Sequence, residues 1–277
     1  VLMCAIPAIV ADISKISICT PSSSNHKINP AILFAAKICD IKTVYKLGGA
    51  QAIAAMAYGT KSIKKVNKIA VVILNWNGKK LLEQFLPSII NYSPEATIYL
   101  ADNASTDDTA EYIREHYPSV SLLQIPVNKG FAHGYAEALR QIQSKYYVLL
   151  SADFEITKDW FLPLYKAMES DTNLAACQPK IKYWREKEKF EYAGAAGGFK
   201  DNLGYMFCRG RILDEIEVDD GQYDDNIEIF WASGACIMVR AEVFHRAGGL
   251  DGDFFAHMEE IDLCWRIKNL GYSILVE

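Results

Sequence analysis

Between Lys68 and Asp153, short β-branched or aromatic runs alternate with amphipathic helical patterns. IAVVIL leads through NWNG into KKLLEQFLPSII; TIYLA leads through DNASTDD into TAEYI. SVSLLQI then leads through PVNKG into FAHGYAEAL, and YYVLL stops at SAD. Each apolar run ends at a small polar cluster before the next helical pattern begins. That alternation predicts βαβ units and an α/β fold with a Rossmann-like, mostly parallel sheet flanked by helices. Ligands of such sheets bind outside the carboxyl ends of the strands. Those ends carry Asn75 and Asn77, Asp102 and Asn103, Asn128 and Lys129, and finally Asp153. The polar residues therefore stand where a nucleotide would be read.

Smaller patterns fill in the rest. Leu81, Leu82, Phe85, Leu86, Ile89 and Ile90 repeat in pairs on one helical face. Ser105 or Thr106 is placed to cap the next helix, with Asp107 and Asp108 favouring its positive end. WASGACIMVR reads as a strand, and RAEVFHRAGG as a short helix closed by Gly248 or Gly249. In HMEEIDLCWRIKNLGY, Glu259, Glu260 and Asp262 crowd the first turn of a helix ended by Gly271. That crowding either complements the helix dipole or, through repulsion, raises a pKa towards that of a base. Residues 178 to 230 lose periodicity and read as long loops.

Before Lys68 the pattern is separate. KISICTPSSS reads as a strand and a polar turn, INPAILFAAKICDI as a helix with Pro30 in its first turn, and TVYKLGGAQAIAAMAYGT as a strand, a Gly48–Gly49 turn and a helix closed by Gly59. Residues 1–66 thus form a βαβα appendage to residues 67–277. The Gly48–Gly49 turn either faces a phosphate or permits tight packing. The apolar opening VLMCAIPAIVA is too short to cross a membrane and has no basic leader. Because the chain does not begin with Met, it reads as a piece of something longer or a fused product.

With 51% hydrophobic residues the chain has ample material for a core, and its net charge of −5 is spread without a basic block, which argues against a nucleic-acid partner. The KSIKK cluster at 61–65 reads as a solvated helix end. Seven scattered cysteines make neither a CxxC pair nor a Cys/His spacing, so no disulfide framework or zinc site is expected, and a reducing, cytoplasmic setting fits.

Two resemblances sharpen this picture. The stretch CTPSSSNHKINPAILFAAKICDIKTVYKLGGAQAIAAMAYGTKSIKKVNKI resembles an internal part of histidinol dehydrogenase. That resemblance implies an NAD contact at Gln51, whereas the family's zinc ligands and its catalytic glutamate–histidine pair belong to sequence that does not follow here. The segment is expected to be inactive. Residues 68–277 resemble the family 2 glycosyltransferases of GT-A fold, rhamnosyltransferase-like in type, through NWN at 75–77, DNASTD at 102–107, NKGFAHG at 128–134 and EEIDL at 259–263.

The second resemblance implies a metal-assisted, inverting transfer of a sugar from a nucleotide-diphosphate-sugar donor to a glycan or lipid-linked glycan acceptor, as in cell-surface polysaccharide synthesis. It implies nucleotide binding by Asn75, Asn77, Asp102, Asn103, Ser105, Asn128, Lys129 and Gly130. Asp153 would hold Mg²⁺ or Mn²⁺, the surviving carboxylate of a DxD motif that here reads Ser151-Ala152-Asp153. Trp231, Gly234 and Ala235 would approach donor or acceptor, and the base would come from Glu260 or Asp262, beside Glu259. Tyr192, Tyr205, Tyr223 and Trp231 either stack on an acceptor sugar or cover the core, and Arg209 and Arg211 are candidates to meet the diphosphate. Family members usually continue beyond the position of Glu277, so the segment reads as C-terminally truncated. No transmembrane segment is expected; peripheral association at the inner face of the cytoplasmic membrane is. The rival readings are an NAD-dependent dehydrogenase fragment and a nucleotide-binding module without turnover.

Overall fold

The hydrophobic alternation resolves into two compact units, residues 1–66 and 67–277. The computed structural model describes residues 2–10, 16–22, 27–58 and 68–277. In the first unit α1 (Leu2–Val10) is followed by β1 (Ser17–Cys19), α2 (Pro30–Ile38), β2 (Thr43–Tyr45) and α3 (Gly49–Tyr58). β1 and β2 pair in parallel, so β1-α2-β2-α3 is the βαβα unit read from the sequence. Asn29 caps α2 by accepting the Ala31 N–H at 2.9 Å, and Pro30 occupies the first helical position. Gly48 faces packing: a side chain there would press on the Pro21 ring at 2.7 Å. The core of this unit is small, built on Ala5, Ala36 and Ile41, while Leu33, Phe34 and Ile38 of α2 are exposed. Gly59 and the 61–65 cluster lie outside the described residues.

The second unit begins β3 (Ile69–Asn75), α4 (Lys79–Asn91), β4 (Thr97–Asn103), α5 (Thr109–His116), β5 (Ser121–Ile125), α6 (Phe131–Arg140) and β6 (Tyr146–Ser151). It continues with α7 (Leu162–Ser170), β7 (Leu174–Gln178) and the short strands β8 (Gly198–Lys200), β9 (Met206–Cys208), β10 (Arg211–Ile212), β11 (Glu215–Ile216) and β12 (Ile227–Glu228). β13 (Cys236–Arg240), α8 (Ala241–Arg246), α9 (Glu259–Asn269) and β14 (Ser273–Val276) complete it.

Eight strands form one sheet in the order β12-β14-β7-β13-β6-β3-β4-β5. β3, β4, β5 and β6 run parallel, β7 and β14 are parallel to each other, and β13 is antiparallel to β6 and β7. One face packs under α6, α8 and α9 through Tyr135, Leu139, Phe244 and Ile267. The other packs under α4, α5 and α7 through Leu82, Leu86, Ile113 and Met168. Burial on both faces is why the strands read as unbroken apolar runs.

Three local expectations shift. On α4 the buried stripe is Leu82, Phe85, Leu86 and Ile89; Leu81 turns outward. α5 starts only at Thr109, whose N–H is taken by Asp107 Oδ1 at 3.1 Å, so neither Ser105 nor Thr106 caps it. The expected strand WASGACIMVR narrows to Cys236–Arg240, because the Cys236 N–H turns back to the Ser233 carbonyl and leaves 231–235 as a connecting loop. Among the described residues the cysteines are free, and no helix is long and apolar enough to cross a membrane.

Candidate active site

The carboxyl ends of β3, β4 and β6 are level: Asn75 pairs with Asp102, and Leu74 with Ser151. Asn75, Asp102 and Asn103 are all buried there. The Asn75 amide donates to Ser105 Oγ at 3.3 Å, and the Asn103 amide donates to Asn128 Oδ1 at 3.0 Å and to the Gly130 carbonyl at 3.2 Å. One oxygen of each of Asn75, Asp102 and Asn103 is left without a protein partner. Asn77, in the left-handed region at φ 51°, binds the neighbouring loop instead. Its Oδ1 accepts the Thr106 N–H at 2.7 Å while its own N–H donates to Ser105 Oγ at 2.9 Å. Asn77 and Ser105 thereby fasten the two strand-end loops to each other. Asn128 Oδ1 also accepts the Gly130 N–H at 2.9 Å, closing the turn that starts α6; Lys129 between them is exposed.

That turn meets the loop before α9. The Phe255 carbonyl accepts the N–H groups of Phe131 and Ala132, at 2.6 and 3.2 Å, and so caps α6. The contact needs Gly130, whose φ is +97° and whose added Cβ would lie 2.5 Å from the Phe255 oxygen. Phe255, His257 and Met258 all have positive φ, at 59°, 73° and 73°. Three non-glycine residues in that region mark stored strain, which tends to gather at functional sites.

Glu259 and Glu260 follow at once. Each has a buried oxygen without a partner. Burial raises both pKa values, and the neighbouring Glu259 charge raises that of Glu260 further. Gly234 lies against Glu260: a Cβ on the glycine would be 3.4 Å from the glutamate Cβ. The next residue, Ala235, accepts the Ser151 N–H at 2.9 Å at the end of β6. Asp153, two residues on, is exposed and lines a cavity of about 640 Å³ together with Ala235. The contacts thus run from the Asn128–Gly130 turn through Phe255 to Glu260, and on through Gly234 and Ala235 to the Asp153 loop. Neither Asp102 nor Glu260 lines the cavity itself.

Two expected site residues are otherwise engaged. Trp231 is buried and its indole N–H donates to the Phe199 carbonyl at 3.1 Å, beneath the β8–β9 hairpin, where it packs against Gly198. Its side chain is core. Asp262 forms an ion pair with Arg266 one turn along α9, and that guanidinium also reaches the Ala247 carbonyl. The Asp262 carboxylate is thus committed to a cation on its own helix. Arg209 reaches Asp225 through Nη1 and the Ala196 carbonyl through Nε, while its Nη2 is buried without a partner. Arg211 stacks over Tyr192 at 3.8 Å. Two residues escaped sequence reading: Trp184 and Glu191, both on the cavity wall. The aromatic pair interrupting the charged run YWREKEKF was the available signal.

A mostly parallel sheet with unpaired acceptors at its carboxyl end, and beside it a buried Glu259 and a half-buried Glu260, defines a GT-A-type α/β architecture. Solved structures share the fold. The mannosyltransferase PcManGT from Pyrobaculum calidifontis, in complex with GDP-Man and Mn²⁺, superposes with a TM-score of 0.54 at 19% identity, covering 76% of this chain and 57% of its own. GalNAc-T7 with UDP, GalNAc and Mn²⁺ gives 0.58 at 17% identity, covering 76% of this chain and 42% of that one. Residues 70–248 match the model of glycosyl transferase family 2, and the chain belongs to that family. Residues 1–71 match histidinol dehydrogenase. The enzyme of that name from Bacteroides fragilis (strain YCH46) is 58% identical over 69 residues, and that from Lactococcus lactis subsp. lactis 54%. The matched stretch spans only 16% of those relatives' length. An N-terminal histidinol dehydrogenase-like segment is therefore fused to a family 2 glycosyltransferase segment.

Proposed function

We propose that residues 67–277 transfer a glycosyl group from a nucleoside-diphosphate sugar to a hydroxyl of a glycan or lipid-linked glycan, inverting the anomeric centre. The observation that carries this is where buried polarity goes unpaired. Eight buried side-chain atoms lack a protein partner among the described residues, and five of them are oxygens of Asn75, Asp102, Asn103, Glu259 and Glu260. An unpaired buried acceptor costs about 1–3 kcal/mol, so a ligand rich in N–H and O–H donors recovers that cost on binding. The N–H edge of a uracil or guanine base and the ribose hydroxyls are such donors, offered here to Asn75, Asp102 and Asn103. Asn128, Lys129 and Gly130 shape the adjoining wall.

The residues present fit a divalent cation in one way only. Among the described residues no three ligating side chains gather as a metal site. An exposed carboxylate such as Asp153 suits a hard Mg²⁺ or Mn²⁺ ion whose other ligands are donor phosphates and water. Both structural neighbours named above contain Mn²⁺. When bound, such an ion neutralises charge on the departing diphosphate. Glu260, its pKa raised by burial and by Glu259, takes the proton of the acceptor hydroxyl as that oxygen attacks the anomeric carbon from the face opposite the diphosphate. Gly234 leaves room for the sugar beside it, and the Phe255–Met258 loop fixes where α9 begins.

The test is calorimetric titration of UDP, GDP and dTDP with and without Mn²⁺ on the whole chain, repeated on Asp153→Ala. Mn²⁺ is expected to bind only with nucleotide, and the variant to lose the metal-dependent part. Unchanged metal-dependent affinity in the variant removes the ion from Asp153. Anomeric NMR of any transfer product reports inversion directly, and retention of configuration would refute the displacement.

A further inference from the structure

We propose that the cavity beside Asp153 is the acceptor subsite and that it selects an uncharged glycan over one bearing phosphate or carboxylate groups; this rests on the glycosyl-transfer reading above. At about 640 Å³ the cavity falls within the range of small-molecule sites and has room for more than one sugar ring. It opens from the ends of β6 and β13, where Ser151 and Ala235 line it, and it shares Asp153 with the candidate site. None of Asn75, Asn77, Asp102, Asn103 or Asn128 lines it. The space is therefore walled by residues other than the nucleotide ones, and Ala235 links it to Gly234, which touches Glu260.

Its walls supply flat apolar surface in fixed orientation. Trp184 is 46% exposed although it sits on the cavity wall. Phe85 of α4 meets its ring edge-on, with centroids 5.7 Å apart and planes at 84°. Trp160 is pinned by its indole N–H to Ser93 Oγ at 3.0 Å. The C–H face of a pyranose stacks on such rings, and rigid aromatic surface costs little conformational entropy to use.

The charges decide the class of sugar. Three lysines line the cavity, and each already has a carboxylate partner. Lys180 pairs with Asp219 at 3.0 Å and with Asp224, Lys182 with Asp219 at 3.0 Å, and Lys187 with Glu155 at 2.6 Å. Glu191 also lines it, held by the Ala193 N–H at 2.6 Å. With Asp153 committed to the cation, the acidic side chains Glu191 and Glu277 on the same walls remain without an ion-pair cation among the described residues, so the unbalanced field is negative. A glycan hydroxyl finds acceptors there; an anionic substituent meets like charge, and no uncommitted lysine receives it.

The experiment uses the whole chain saturated with the nucleotide and Mn²⁺ that calorimetry identifies. Neutral probes (mannobiose, lactose, cellobiose) and anionic ones (digalacturonate, 3′-sialyllactose) are titrated by saturation-transfer NMR. At least one neutral probe is expected to bind, with anionic probes about tenfold or more weaker. Trp184→Ala should weaken the neutral probe about tenfold and leave nucleotide affinity unchanged, while Trp184→Phe retains binding. Glu191→Gln should narrow the gap between the two classes. Binding of no neutral probe, equal binding of an anionic one, or indifference to Trp184→Ala overturns the proposal. Failure of the wild-type chain to bind any nucleotide refutes the glycosyl-transfer reading instead, so the two failures are told apart.

Discussion

Replacing Gly130 with alanine tests the junction on which the site depends. At φ +97° an L-residue is strained wherever it is placed, which costs about 1–3 kcal/mol. The new Cβ would also lie 2.5 Å from the Phe255 oxygen and 2.6 Å from its ring. That overlap adds about 1–3 kcal/mol of overpacking and displaces the carbonyl from the Phe131 and Ala132 N–H groups. The sum, about 2–6 kcal/mol, is a large part of the 5–15 kcal/mol that ordinarily holds a domain together. All five tryptophans fall in residues 67–277, so urea unfolding followed by tryptophan emission reports on that unit alone. With a slope of about 2–3 kcal/mol/M the midpoint should fall by about 1–3 M. Gly204→Ala is the control: its φ is +92°, yet nothing lies within 4 Å of the added methyl. It isolates the backbone cost. Equal midpoint shifts in the two variants would show that the Gly130–Phe255 contact is absent and sink the argument.

Three further outcomes are expected. Glu259 and Glu260 have folded pKa values above the ordinary 4.5 because they are buried. The folded state thus holds their protons more tightly, and the contribution of these two groups to stability is full below pH 4.5 and lost as pH rises through the raised values. Glu260→Gln should lose less stability over that window while transfer falls about 10²–10⁴-fold; a variant with wild-type turnover would exclude Glu260 as base. Trp231→Ala should destabilise by about 3–5 kcal/mol in urea, and a loss under 1 kcal/mol would contradict its burial. Asp262→Asn should leave the proton-acceptor limb of the pH–rate profile where it is, shifting stability by no more than about 1 kcal/mol; displacement of that limb would return Asp262 to the chemistry.

The sheet was legible because its strands are covered on both faces, which writes them as continuous apolar runs with polar stops. The strand-end residues followed from the same pattern. What escaped were side chains whose fate depends on distant segments. Trp231 and Trp184 are both aromatics in weakly patterned sequence, yet one is covered by the β8–β9 hairpin and the other stands on Phe85 with its face free. No local signal separates them. The Asp262–Arg266 pair could have been read, since four residues on a helix bring side chains together; the density of acids around it drew attention to repulsion instead. Ser105 has cap chemistry, but the tie to Asn75 and Asn77 crosses between loops thirty residues apart, so spacing alone pointed to the wrong partner.

Leu33, Phe34 and Ile38 on α2 give the first unit a greasy outer side over a core of very few residues. A surface of that kind is adhesive to itself and to detergents, hydrophobic resins and chaperones. Yield and monodispersity of the whole chain should then depend on this small leading unit, and placing charges at those three positions is a direct route to samples concentrated enough for crystals.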